Sequence, residues 1–167
     1  MDRFNELTHA FKEVDHKIFF AAKSNFNINI IKFFADLGGG IYVNSSGEFQ
    51  RAFNAGVNPK EMLLTGVGKT DEEIKLGLEQ NVHLIKAESE QEIEVINQIA
   101  SKIGKVAPVA IRVNPDVDPQ THPYISTGLA ENKFGVDAEL AYELFLKCSR
   151  LKNVELTGID MHIGSQI

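Results

Sequence analysis

The sequence predicts a parallel α/β fold of the (β/α)8 TIM-barrel type, incomplete, with about six β/α units. Two observations predict it. Short apolar runs alternate strictly with amphipathic segments at roughly twenty-residue intervals, and β-then-α alternation implies a parallel sheet with right-handed crossovers. Residues of the kinds that build sites then follow nearly every apolar run. That favours a barrel, whose site gathers at the C-terminal ends of its strands, over an open doubly wound sheet. Six strands fall short of the eight that close a barrel. The expectation is therefore one partial barrel domain, residues 1–167, cut from a longer protein, with no linker or composition shift inside it.

Each element has a local reason. Phe4, Leu7, Phe11 and Val14 carry the spacing of an amphipathic helix. The apolar run 18–22 predicts a strand covered on both faces, ending abruptly in Lys23-Ser24-Asn25. Asn27 is placed to cap a helix with Ile30, Ile31, Phe34 and Leu37 inward, stopped by Gly38-Gly39-Gly40. A strand over 41–44 leads into Ser45-Ser46-Gly47-Glu48, the start of a helix that buries Phe49, Ala52 and Phe53 and stops at Gly56. A strand over 62–65 is followed by the loop Gly66-Val67-Gly68-Lys69. Thr70 with Glu73 then predicts a capping box for a helix to about Gln80. A strand over 82–86 precedes a second predicted capping box, Ser89 with Glu92, and a helix through Ile93, Ile96 and Ile99. The strand 106–113 breaks at Asn114-Pro115. A long connection runs to about Gly135, then a helix through Leu140, Leu144 and Phe145, and a last strand over 154–162.

Composition narrows the function. A formal charge of −6 with no basic cluster argues against a nucleic-acid partner. No apolar run approaches the ~18 residues of a membrane span, and Met1-Asp2-Arg3 opens no signal peptide, so a cytoplasmic protein with no membrane partner is expected. The single cysteine, Cys148, rules out a disulfide within the chain and a cysteine-based zinc site, and no metal is expected. Cys148 shares a helical face with Leu144 and Leu151, which predicts a core thiol.

The residues past the strands define a chemistry. They include Lys23, Ser24 and Asn25; Ser45 to Glu48; Thr65, Gly66 and Gly68; Glu88 and Ser89; Arg112 and Asn114; and His162, Gly164, Ser165 and Gln166. A lysine amine at a site mouth suits covalent attachment to a carbonyl compound. Small residues at loop and helix starts can bring backbone N–H groups against a phosphate. An imidazole can stack on a heteroaromatic ring. Together they suggest pyridoxal phosphate held by Lys23. Each feature also has a purely structural explanation. The Ser-Ser-Gly-Glu segment is an ordinary helix start, the loop 66–69 lacks the spacing of a P-loop, and Arg112 in an apolar strand calls for a buried ion pair as readily as for a ligand.

The segment Phe19-Phe20-Ala21-Ala22-Lys23 resembles the cofactor segment of the diaminopimelate decarboxylase family. Arg112-Val113-Asn114-Pro115-Asp116-Val117, His122-Pro123-Tyr124-Ile125-Ser126-Thr127-Gly128 and Asn132-Lys133-Phe134-Gly135 are similar to its long loop, and His162-Ile163-Gly164-Ser165-Gln166 to its stacking-histidine segment. The resemblance implies an alanine-racemase-like barrel, followed in the family by a C-terminal β domain that this chain lacks. It implies pyridoxal-phosphate-dependent decarboxylation of meso-2,6-diaminopimelate to L-lysine, in lysine biosynthesis, by a protein that works as a homodimer. Carried over by position, Lys23 is the Schiff-base lysine, His162 covers the cofactor ring, and Ser165 helps hold the phosphate; Lys23 and His162 are the catalytic pair. Tyr42 stands where the family often has an aspartate. The fragment itself is expected to be inactive. A sibling decarboxylase of ornithine or arginine, and a non-catalytic carrier of pyridoxal phosphate, remain open alternatives.

Overall fold

The computed structural model describes residues 1–117 and 134–164. The segment 122–128, Asn132, Lys133, Ser165 and Gln166 lie outside the described residues. Six parallel strands pair in chain order: β1 (Phe19–Ala21), β2 (Gly40–Val43), β3 (Met62–Leu64), β4 (Leu84–Ala87), β5 (Ala107–Asn114) and β7 (Val154–Asp160). The intervening helices are α2 (Ile28–Asp36), α3 (Ser46–Asn54), α4 (Asp71–Gln80), α5 (Glu90–Lys102) and α6 (Ala138–Cys148), with α1 (Asp2–Ala10) ahead of the sheet. A two-residue strand, β6 (Val136–Asp137), pairs with the end of β5 and was not expected. It is too short to leave a periodic signal. β1 and β7 each pair with a single strand among the described residues, so the sheet is an arc of a barrel.

The core lies between the sheet and the helices. Ile41, Val43, Leu64, Ile85, Val109 and Ile111 from the strands meet Ile31, Phe49, Ile74, Ile93 and Ile96 from the helices. Each fully buried aliphatic side chain of this kind contributes about 1.5–3 kcal/mol relative to exposure. Cys148 belongs to this core, where burial pushes its thiol above the usual range, Glu94 adding to the rise and Lys147 opposing it.

Several expectations need correction. Ile30 of α2 and Phe53 of α3, expected to face inward, are both exposed, because they lie at the margin of each helix's buried stripe. β1 is only half-buried, because among the described residues it has one strand neighbour and one covered face; Phe20 stacks on Phe34 of α2 with ring centroids 4.2 Å apart. α1 stops at Ala10, short of Val14. Phe4 is its single residue that is not exposed, so little packing supports a further turn. The second capping box is not reciprocal. Ser89 Oγ accepts from Glu92 N, but the Glu92 carboxylate accepts from the N–H of Glu88, one residue further back, and pairs with the buried Lys69 at 2.9 Å. Ser45 and Glu48 repeat this arrangement, with Asn44 donating to Glu48.

The first capping box, Thr70 with Glu73, forms as predicted. Glu73 also accepts from the N–H of Ser46 at 2.8 Å, tying the start of α4 to the start of α3. Partial burial pushes the Glu73 carboxyl up, but bonds from Ser46 and Thr70 and the charge of Lys69 outweigh it, leaving it below 4.5. A carboxyl depressed by folding stabilises the fold above its unfolded value and loses that contribution as pH falls through the folded one. Glu73→Gln is therefore expected to destabilise by about 1 kcal/mol at pH 7. The deficit shrinks as pH drops below 4.5, measured by urea unfolding at several pH values.

One irregularity aims the last strand. Val109 faces Leu156, but the next residue, Ala110, faces Gly158, so β7 carries one extra residue, Thr157. An extra residue in one strand reverses the side-chain alternation beyond it. Val154 and Leu156, before the extra residue, pack on the helices, while Asp160, beyond it, turns to the opposite face beside Arg112, its partner in register.

Candidate active site

That opposite face holds a cavity of about 430 Å³ at the C-terminal ends of the strands. The size suits a cofactor or small ligand. Among the described residues, five that the sequence predicts meet there: Lys23, Thr65, Gly66, Arg112 and His162.

Lys23 is delivered by a sharp turn. β1 ends at Ala21, and a single 3₁₀ turn, Ala22–Ser24, follows. Ala22 is fully buried, Ser24 Oγ donates to the carbonyl of Ala21 at 2.8 Å, and Asn25 N donates to that of Ala22 at 3.1 Å. The turn is fixed at both ends, and the lysine stands exposed at the mouth of the cavity. It makes no hydrogen bond or ion pair among the described residues.

Arg112 and Lys86 are held differently. Arg112 Nη1 donates to Glu88 Oε1 at 2.9 Å and Oε2 at 3.2 Å, and both side chains are about nine-tenths buried. Its guanidinium carbon lies 5.1 Å from the ring centroid of Phe134. The Lys86 ammonium is ion-paired with Asp160 Oδ1 and sits 4.2 Å from the centroid of the Tyr42 ring. The Tyr42 hydroxyl is bonded to Thr65 Oγ1 at 2.9 Å. Tyr42 thus brings no carboxylate here. It presents a ring face to a cation, with Asp160 supplying the negative charge from another strand.

His162 lies just beyond β7. Burial lowers its pKa below 6.5, the cations of Lys23, Arg112 and Lys86 lower it further, and Asp160 opposes them. That direction favours the neutral imidazole at pH 7. A base depressed by folding resists a proton that the unfolded chain accepts, so stability rises with pH through the window below 6.5. His162→Gln is expected to flatten that rise, measured as the difference in unfolding free energy between pH 7 and pH 5.5.

Two buried polar atoms complete the lining. Asn44 Oδ1 and Asp160 Oδ2 have no hydrogen-bond partner among the described residues. Gly66 closes the cavity edge with φ +105°, and a Cβ there would stand 2.9 Å from the carbonyl oxygen of Asn44. Only glycine fits this approach.

Other predicted residues serve the scaffold. Ser45 and Ser89 cap α3 and α5, and Lys69 folds back onto the carbonyl of Gly66 at 2.7 Å and onto Glu92. Of the serine- and glycine-rich turns, the side chains of Ser45 and Ser89 are engaged as helix caps, while Gly66 lines the cavity. Ser165 lies outside the described residues. The sequence reading missed Lys86, Asp160 and Asn44. Their signal was charged or amide residues inside apolar strands, two positions from another polar residue: Tyr42 and Asn44, Lys86 and Glu88, Asp160 and His162.

The arc of parallel strands and the lysine-bearing cavity at their C-terminal ends define a barrel protein with its site where such barrels carry theirs. The family described as "Pyridoxal-dependent decarboxylase, pyridoxal binding domain" matches residues 1–167, and the chain belongs to it. Membership implies pyridoxal phosphate as the cofactor. Among curated relatives, the chain is 45% identical over 99% of its length to a diaminopimelate decarboxylase of Aquifex aeolicus and 48% identical over 95% to one of Haemophilus influenzae. It spans 39% and 38% of those proteins, about two fifths of their length. A crystal structure of diaminopimelate decarboxylase from Helicobacter pylori complexed with L-lysine superposes with a TM-score of 0.95 at 41% identity, covering 98% of this chain and 42% of that one.

Proposed function

We propose that Lys23 holds pyridoxal phosphate covalently and that this chain is the cofactor-binding part of a diaminopimelate decarboxylase. The observation that carries the reading is the state of the cavity's cations. Arg112 is closed by Glu88 and Lys86 by Asp160, whereas Lys23 makes no ion pair among the described residues and stands at the mouth. It is the amine available to a carbonyl.

The remaining lining fits the group. The neutral face of His162 suits stacking on a pyridine ring, and the unpaired acceptors of Asn44 and Asp160 suit hydrogen-bond donors on a ligand. Ser165 is assigned to the phosphate from the family resemblance. When bound, pyridoxal phosphate accepts the electrons of the bond that releases carbon dioxide. The chain's own residues do the rest. Lys23 anchors and exchanges its place with a substrate amine, and His162 orients the ring. The two closed ion pairs keep the floor rigid without adding net charge.

The whole protein is read as a cytoplasmic homodimer converting meso-2,6-diaminopimelate to L-lysine. The names of the relatives and the lysine-bound neighbour support that substrate. Carbon dioxide release from diaminopimelate, L-ornithine and L-arginine by the longer protein tests it. Diaminopimelate is expected to lead by at least about a hundredfold in kcat/KM, with L-lysine as product. Preference for ornithine or arginine would overturn the substrate.

A further inference from the structure

The cavity contains a second primary amine, which the proposed function uses only as half of an ion pair. Lys86 lies within β4 and is 7% exposed, yet it lines the same cavity as Lys23. Two lysines facing one aldehyde pose a selection problem. Condensation needs a neutral amine: its lone pair adds to the carbonyl carbon, and its two hydrogens leave with the carbonyl oxygen as water. An ammonium cannot begin that step until it gives up a proton.

The two amines are placed in opposite circumstances. Lys23 is exposed and unpaired among the described residues. Lys86 is buried between the Asp160 carboxylate and the face of Tyr42. Asp160 Oδ2 has no hydrogen-bond partner among the described residues, so hydrogen bonding to other groups does not draw that oxygen's charge away from Lys86. The carboxylate is fixed by β7, where Asp160 stands in register with Arg112. We propose that Asp160 reserves the aldehyde for Lys23 by holding Lys86 as a paired ammonium on the cavity floor. Asp160 is then a positioning residue acting through Lys86. The inference rests on Lys23 being the covalent anchor.

The test treats the wild-type chain and the variants Asp160→Asn, Asp160→Glu, Lys23→Ala and the double variant Lys23→Ala/Asp160→Asn with pyridoxal phosphate. Borohydride then reduces the carbon–nitrogen double bond to a stable amine, and peptide mapping quantifies each lysine. Wild type and Asp160→Glu are expected to carry the label on Lys23, with less than about a tenth of it on Lys86. Asp160→Asn is expected to raise the Lys86 share about tenfold, and the double variant to be labelled on Lys86. Lys23→Ala alone leaves Lys86 unlabelled. Equal labelling of Lys86 in wild type or in Lys23→Ala overturns the proposal, as does a folded double variant without label. Should the asparagine variants fail to fold by circular dichroism, acetic anhydride on the wild type decides. Lys86 must react at least about tenfold more slowly than Lys23, and equal rates overturn the proposal. Wild-type label on a third lysine, or none at all, overturns the Lys23 reading instead.

Discussion

Replacing Glu88 with alanine is expected to destabilise the fold by about 3–5 kcal/mol, because it strands the Arg112 guanidinium in a buried position. The pair is enclosed, with side chains 11% and 8% exposed, and it joins β5 to the residue after β4. A single change leaves a desolvated charge, whereas removing both charges together does not. The double variant Glu88→Leu/Arg112→Met should therefore recover much of the loss. Guanidinium unfolding measures both. The exposed pair Lys32–Asp36 provides the contrast, since its removal should shift stability by no more than about 0.5 kcal/mol. A Glu88→Ala loss below about 1 kcal/mol would show that Arg112 finds another partner.

The second large effect is chemical. Lys23→Arg keeps a cation at the mouth but removes an amine able to condense with an aldehyde. Covalently retained pyridoxal phosphate, read from intact-protein mass after borohydride, is expected to fall by at least about a hundredfold. The same change should leave stability within about 0.5 kcal/mol, since Lys23 is exposed and makes no hydrogen bond or ion pair among the described residues. Together those results separate a binding role from a folding role. Undiminished retention in Lys23→Arg would move the anchor elsewhere.

Most of the fold was legible because local signals agreed with it. Thr70 and Glu73, Asn27, and the glycines after α2 and α3 mark helix ends chemically, and the apolar runs between them are too short for anything but strands. Of the site, the residues just past strand ends could be read, since Lys23 and His162 break an apolar run. What remained hidden depends on facing. Lys86 and Asp160 lie inside strands, and nothing local says whether such a residue turns to the helices or to the cavity. For Asp160 the answer rests on the extra residue at Thr157. Strict alternation from the core residues Val154 and Leu156 would have turned it toward the helices. The status of the amines was equally hidden. Which lysine is free depends on partners 74 residues apart in the chain, Lys86 and Asp160.

Lys23 is the residue expected to carry the cofactor. Peptide mapping of the wild-type chain after pyridoxal phosphate and borohydride tests it most directly. One dominant pyridoxyl peptide is expected, containing Phe19-Phe20-Ala21-Ala22-Lys23. A dominant label on Lys86, Lys69 or any other lysine would contradict it.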